Sequence, residues 1–509
     1  NNGVSYSLNK GIAESQGKLI SPVDHDDLVW PAGLDVAMKH QQYYRHSWLY
    51  TDELQVDENG YLIRYLFKPK YSEKLLQSIM YINHLQVFSK ELVEKVGGYR
   101  EGFEGSQDHD LALRMSEVVK PCHVPSIGYH WRIMSTTQSR TAGLVTSETI
   151  EKSIKALNEH FDRRGKKVTV ENSRRDLSVY KIRIVPESIE KLSIIIPCKL
   201  GTFRVINGRS ITLLTNCLQS LKKTVFPLRD PLGITPEIEI ILVLNDEDNT
   251  EIANDLLKKH GFNGFSVNDL PGFNFARKCN LGAQVCTGEI LVFLNDDTEF
   301  ISESWIPDVV SLLMENNVAC VGGMLLNEDR TVQSCGDNVS LNSATHYDPN
   351  PSADNEGDPF HRYHADHETT SITGAFLCCR KSIFLSLDGF NEVFSNSFQD
   401  VDFCLRARRR GLRCLLSPHI KLFHYESSSR NPLVDDETLS ALRSFHADLI
   451  AQKDEFALWA YQPVRVPLLS LSRIVHTRNQ FHNNLQSLLG TISSGMSSQQ
   501  RLRFELLIK

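Results

Sequence analysis

The stretch Glu289-Ile290-Leu291-Val292-Phe293-Leu294-Asn295-Asp296-Asp297-Thr298 decides the fold. Its run of apolar residues, opened by Thr287-Gly288 and closed by acids, predicts a short strand buried on both faces whose carboxyl end reaches solvent. In open α/β sheets, ligands bind at such ends. Side chains alternate along a strand, so Asn295 and Asp297 share one side and Asp296 the other. Asp297 is thereby placed to face a ligand while Asp296 shapes the turn. Taken alone, the acidic pair reads equally as a solvated turn, and the rest of the chain has to decide.

A chain of 509 residues is long enough for several domains with full cores. Its net charge of -7 argues against a nucleic-acid binder, while leaving room for an enzyme of anionic diphosphates whose positive charge comes from a metal. Eleven cysteines without any C-x-x-C pair point to reduced thiols, as in a cytosol. No apolar run approaches the roughly 20 residues that span a bilayer. The expected location is cytoplasmic, with peripheral contact at the inner face of the cell membrane left open.

The stretch is repeated near the start of the chain. Asn9-x-Gly11, Gly17 and Asp24-His25-Asp26-Asp27 match Asn280-x-Gly282, Gly288 and Asn295-Asp296-Asp297-Thr298, displaced by 271 positions throughout. A second block, Gln107-Asp108-His109-Asp110 with Leu113-Arg114, matches Gln399-Asp400-Val401-Asp402 with Leu405-Arg406 at a displacement of 292. Gly98-Tyr99 and Gly389-Phe390 lie upstream. Downstream, Pro125 and His130 answer Pro418 and His424, with one extra residue between them in the second copy. The chain therefore reads as a duplicated domain.

The expected organisation is a partial domain over 1–160, a linker over 161–190, a complete domain over 191–432 and a helical region over 433–509. The second copy opens on a buried strand at Leu192 to Pro197, followed by a helix near Leu213 to Leu221 and a strand at Ile238 to Leu244. Nothing comparable precedes Asn9, so the first copy is read as entering mid-domain, the chain as a fragment, and copy one as unable to bind a donor nucleotide. Asn338 to Thr370, rich in Asn, Asp, Pro and His, reads as a polar loop with His361, His364 and His367 solvated.

In the second block, Asp400 and Asp402 fall in a first helical turn, whose dipole favours an ionised Asp400. Asp402 is expected to pair with Arg406, four residues on. With strands alternating with helices and acids at a strand's end, these features describe a nucleotide-type α/β domain.

These residues resemble the inverting family 2 glycosyltransferases of GT-A fold, above all the tandem-domain enzymes of bacterial O-antigen, capsule and other surface polysaccharides. The resemblance rests on Ser193-Ile194-Ile195-Ile196-Pro197, Phe273-Asn274 with Asn280-x-Gly282, Phe293-Leu294-Asn295-Asp296-Asp297, Thr373-Gly374-Ala375, Gln399-Asp400-Val401-Asp402 and His424-Tyr425-Glu426-Ser427, in that order. It implies an α/β chain with two GT-A domains, the first lacking its N-terminal part, and a helical C-terminal tail.

By the same resemblance, Asp297 and His424 hold a divalent cation, Mg2+ or Mn2+, on the diphosphate of a nucleotide-sugar, and Asp26 and His130 do so in copy one. Asp400 and Asp108 are the matching catalytic bases. Pro197, Asn245, Asp246, Asn274, Asn280, Asn295, Asp296 and Asp24 border the donor. Thr373, Gly374, Ala375 and Gln399 line the sugar and acceptor pocket. The acceptor is a glycan or a lipid-linked glycan.

Cys198 stands where the family often has Thr, Asn245 where an acid is usual, and Gln399 where Glu is common. Copy one has Asn83-His84-Leu85 at the Thr-Gly-Ala place. A nucleotidyltransferase is the nearest competing reading, but Pro197-Cys198-Lys199-Leu200-Gly201 makes a poor phosphate loop. A non-catalytic carbohydrate-binding or scaffolding descendant is the other, and donor hydrolysis in the presence of metal separates it from an enzyme.

Overall fold

The computed structural model describes residues 3–133, 146–174, 178–186, 191–206, 208–225, 236–339, 344–346, 360–425, 436–450 and 456. They fall into two compact units, one built on 1–165 and 170–180, the other on 166–169 and 181–457.

The second unit is organised by one mixed sheet. Its strands are β1 (Leu192–Pro197), β2 (Ile238–Leu244), β3 (Gly264–Asn268), β4 (Ile290–Leu294), β5 (Thr298–Phe300), β6 (Val318–Leu326), β7 (Phe376–Arg380) and β8 (Arg413–His424). The spatial order is β3-β2-β1-β4-β7-β6-β8-β5. β3, β2, β1 and β4 run parallel, β7 is antiparallel to both β4 and β6, β6 and β8 are parallel, and β5 closes the edge antiparallel to β8. The deciding stretch is thus the last parallel strand, β4, beside the point where the strand direction changes.

Alternation along the strands builds two apolar layers. Ile194, Ile196, Ile240, Leu242, Val292 and Leu294 face one side, packed with α1 (Leu213–Val225) and, beyond α2 (Thr250–His260) and α3 (Phe275–Val285) in the chain, with α4 (Trp305–Leu313). Ile195, Ile241, Val243, Leu291 and Phe293 face the other, against α3 and α5 (Gln399–Arg409). Both faces are covered, which explains why the parallel strands read as continuous apolar runs rather than alternating ones. Gly282 permits the close seating of α3, since a Cβ there would stand 2.4 Å from the Ile195 methyl. A further helix, α6 (Asp436–Ile450), rests Leu442 and Ile450 on Phe394, Phe398, Val401 and Leu405. The expected tail beyond it lies outside the described residues.

In the first unit, Leu19–Ile20, Gln86–Ser89, Trp48–Asp57, Cys122–Ile133 and Leu28–Val29 are neighbours in that order, with Leu62–Leu66 added on Trp48–Asp57. Their relative directions are those of β4, β7, β6, β8 and β5. Side-chain clasps recur as well. Asn9 donates to the Tyr99 carbonyl at 2.7 Å and accepts its amide at 2.8 Å, and Asn280 does the same with Phe390 at 2.9 Å in both directions. The glycine before each aromatic leaves room for the amide. Gly98 and Gly389 have φ of 70 and 66, and a Cβ on either would meet the asparagine Oδ1 at 2.6 Å. Asp110–Arg114 and Asp402–Arg406, at 2.6 and 2.8 Å, tie each helix to the same turn through carbonyls of Gly98 and Gly389.

Two expectations are corrected here. Residues 360–370 are not a polar loop over one face: all are buried or half-buried, and His367–Thr369 is a strand paired with β8. His361 and His364, expected to be solvated, are half-buried and His367 is buried, and the two converging groups of possible metal ligands among the described residues lie elsewhere. Low sequence hydropathy misleads there because polar side chains of this segment are taken into the fold, Glu368 by Arg413 at 2.8 Å and Thr369 by the Asp337 amide at 3.2 Å.

Candidate active site

At the carboxyl end of β4 the chain turns sharply, with Thr298 Oγ1 donating to the Asn295 carbonyl at 2.8 Å, and re-enters the sheet as β5. Thr298 pairs with His424 across the ladder, which delivers the last residue of β8 to the acids. His424 Nε2 lies 3.3 Å from Asp297 Oδ1 and 3.3 Å from Asn295 Nδ2. Asn295 and Asp297 thus share one side, as strand alternation requires.

A residue that the sequence reading missed sets the state of His424. Gln333 Nε2 donates to the His424 carbonyl at 3.2 Å, which directs Gln333 Oε1 to His424 Nδ1 at 2.6 Å. That oxygen can only accept, so Nδ1 carries a proton and Nε2 is the nitrogen turned toward Asp297. An imidazole nitrogen and a carboxylate oxygen facing each other at 3.3 Å are two donors that one cation can join. Adjacent oxygen and nitrogen ligands of Mg2+ or Mn2+ stand about 3 Å apart, so the donor set fits such an ion. Asn295 Oδ1 is buried nearby without a partner.

Asp296 takes the other side, receiving the Lys199 amide at the end of β1. Burial first, and then the charge of Asp297, push its carboxyl up to about 7. The neighbouring strand ends are tied by a second residue that motifs did not reveal. The buried Lys278 Nζ donates to the Cys198 carbonyl at 3.0 Å, the Val243 carbonyl at 3.3 Å and Asn245 Oδ1 at 2.6 Å. Asn245 is positioned by this cation, and Asp248 supports the same loop by accepting the amides of Asn245 and Leu200. Asp246 stands next to them, and Pro197 ends β1. Replacing Lys278 by Met should strand three acceptors and lower stability by about 1–3 kcal/mol, measured by urea unfolding.

The candidate base is held from the opposite side. Asn295 N donates to the Ala375 carbonyl at 3.0 Å, and in the same turn Gly374 N donates to Asp400 Oδ2 at 2.6 Å. A Cβ on Gly374 would stand 3.4 Å from that carboxylate oxygen. Asp400 Oδ1 accepts Val401 N at 2.8 Å. Burial raises the Asp400 pKa from the ordinary carboxylate value, and this outweighs the lowering by the Gly374 amide. Phe398, the residue before Gln399-Asp400, is forced into the left-handed region at φ 67, a strained conformation typical of functional turns. Gln399 Oε1 is buried and unpartnered, and Thr373 is half-buried beside Gly374.

Two expected donor contacts have structural duties instead. Asn274 caps α3 by accepting Arg277 N at 3.0 Å and donates to the Glu392 carbonyl, while Asn280 is consumed by the Phe390 clasp and Glu392. Their amides were visible in the sequence, but apart from the local cap on Arg277 their partners, Phe390 and Glu392, lie more than a hundred residues away.

The first unit does not assemble the same site. Leu28 pairs with His130 and Val29 with Tyr129, whereas Glu299 pairs with Phe423 and Phe300 with Leu422. His130 therefore stands at the place of Phe423, and Trp131 at that of His424. The expected Asp26–His130 pair is corrected. His130 is buried in a stack with Trp30 at 5.1 Å and burial lowers its pKa to about 4, while Asp26 is half-buried beside His25. A one-residue slip puts every side chain of a strand on the other face. Asp24 and Asp108 do line one cavity, together with Asn83, His84 and Gln107. His84 fills the space between, with Nε2 3.7 Å from Asp24 and Nδ1 3.2 Å from Glu53. Burial opposes its protonation, but the hydrogen bond and charge of Glu53 raise its pKa overall. Counted along the ladder, in which Ser89 faces Leu19 as Arg380 faces Ile290, His84 falls at the place of Ala375 and Asn83 at that of Gly374.

Residues 193–344 match the family described as Glycosyl transferase family 2. It is 32% identical over 431 residues to the O-antigen biosynthesis protein RfbC of Myxococcus xanthus, covering 83% of this chain and 32% of that protein. It is 30% identical over 446 residues to the uncharacterized protein y4gI of Sinorhizobium fredii, covering 84% of this chain and 46% of that one. The chain accordingly spans a third to a half of the length of these relatives. A shorter match, 27% identical over 134 residues, joins 26% of this chain to 14% of the chondroitin synthase of Pasteurella multocida. Among the described residues, no helix is long and apolar enough to cross a membrane.

Proposed function

We propose that the chain is an inverting glycosyltransferase of surface-polysaccharide synthesis, moving a sugar from a nucleotide-diphosphate sugar to a hydroxyl of a glycan or lipid-linked glycan. One observation carries the reading: a continuous chain of contacts joins Asp400, Gly374-Ala375, Asn295, and the Asp297–His424 pair, so a base and a cation-binding pair are held across one sheet end. The kinship to an O-antigen biosynthesis protein over most of this chain supports the polymer class.

In this reading Asp297 and His424 hold a divalent ion, which when bound neutralises the diphosphate as it leaves. Asp400 accepts the proton of the acceptor hydroxyl while that oxygen attacks the anomeric carbon opposite the leaving group, and a single displacement inverts the configuration. Gly374, lacking a side chain, lets substrate approach the carboxylate closely. Asn245 and Asp246, with Lys278 behind them, border the nucleoside. Residues 191–432 form the working domain. Residues 1–160 form a second, related domain without the histidine at the metal place, and the reaction takes place on the cytoplasmic side of the membrane.

The test is a panel of nucleotide-sugars with Mn2+. One donor should raise Tm and be consumed on addition of a lipid-linked glycan acceptor, since a ligand that binds only the folded state stabilises it. Absence of binding and of hydrolysis across the panel would remove the reading.

A further inference from the structure

The first unit contains a group of side chains that the transferase reading does not use. The helix Pro31–Tyr44 ends where Arg45 adopts φ 59, and this left-handed turn folds His46 back over the last helical turn. The rings of His40 and His46 stack 5.6 Å apart at 15°. Cys122, which opens the strand Cys122–Ile133, joins them, and one ligand atom from each of the three lies within 4.8 Å of the others.

His40 Nδ1 is buried without a hydrogen-bond partner. Among the described residues, the Cys122 sulfur makes only a weak 3.8 Å contact to the adjacent His123 carbonyl. All three residues are half-buried, so a small ion can enter while the donors remain shielded. An unpaired buried imidazole nitrogen costs free energy that a coordinate bond would recover.

We propose that His40, His46 and Cys122 form a binding site for a divalent ion of the zinc class, independent of the glycosyl-transfer site. Two imidazoles and a thiolate are the donors that select borderline ions over Mg2+ and Mn2+, which prefer oxygen. Around Zn2+, bond lengths of about 2.0–2.3 Å set neighbouring donors roughly 3.3–3.7 Å apart, so small side-chain rotations close the site. Cys122 releases its thiol proton to solvent as the sulfur binds, and the fourth position is left to water. The ion would staple the end of the helix to the start of the strand.

Cobalt provides the readout, because a thiolate–Co2+ bond has a near-ultraviolet charge-transfer band that carboxylate and imidazole ligands lack. Titrating Co2+ into the reduced, full chain should develop this band at one equivalent, and Zn2+ should abolish it. Cys122→Ser should lose the band, His46→Ala should weaken the Co2+ binding that the band reports at least tenfold, and Asp297→Ala should leave the band and its titration midpoint unchanged. Circular dichroism of each variant reports folding, and His46→Ala serves if Cys122→Ser misfolds. The buried Cys320, Cys404 and Cys414 also converge, so a band that persists in folded Cys122→Ser belongs to them and overturns the proposal. Absence of any band in the wild-type chain does the same.

Discussion

Asp400→Asn should reduce sugar transfer by about 10²- to 10⁴-fold while leaving donor affinity nearly unchanged. The amide matches the carboxylate in shape and keeps an oxygen to accept the Gly374 amide, so the Gly374–Ala375 turn stays in place and only proton acceptance is lost. The pH profile provides a second readout. A base works only when ionised, and burial raises the pKa of Asp400, so the rate should fall with acidification at a pH above the usual carboxylate range. In Asp400→Asn that acid limb should disappear from whatever rate remains. Normal turnover in this variant would make Asp400 a structural residue.

Chelation should abolish transfer, and Mg2+ or Mn2+ should restore it. The expectation comes from the facing imidazole nitrogen and carboxylate of His424 and Asp297, since Lys278, the cation that ties the neighbouring strand ends, is already engaged by three acceptors. Asp297→Ala should be inactive at any metal concentration. Gln333→Leu should behave differently: freed from its orienting acceptor, His424 can place its proton on either nitrogen, so half-maximal activity should require about 10- to 100-fold more metal, with near-normal activity at saturation. Equal metal response in the wild type and Gln333→Leu would show that the Gln333 contact does not govern ligation.

Much of this architecture is legible from local pattern. Apolar runs located β1, β2 and β4 because a parallel sheet covered on both faces leaves few polar positions in its strands, here Ser193 and Glu239, which bond each other at 2.6 Å. The Asn-x-Gly and Gln-Asp-x-Asp repeats led to the matching clasps of Asn9 and Asn280, of Asp110 and Asp402, and to the five strands whose order and directions agree between units. What could not be read was long-range. Gln333 sits 91 positions from His424, and Lys278 reaches carbonyls 35 and 80 positions away. Neither belongs to a motif, because each acts on backbone or on another side chain rather than on a ligand. Residues 360–370 misled for a related reason: Glu368 is drawn inward by Arg413, 45 positions away, a partner that composition does not display.

The ladder between Leu28–Val29 and the strand ending at Ile133 has a consequence for comparing such sequences. An alignment that rewards identical letters places a gap so that His130 faces His424, yet counting ungapped from Pro125 and Pro418 puts Trp131 there, in agreement with the hydrogen bonds. Matched chemistry and matched geometry are therefore out of phase by half a pleat. Inserting one residue between Pro125 and His130 would bring them back into phase, converting a difference that looks like a conserved ligand into a real one.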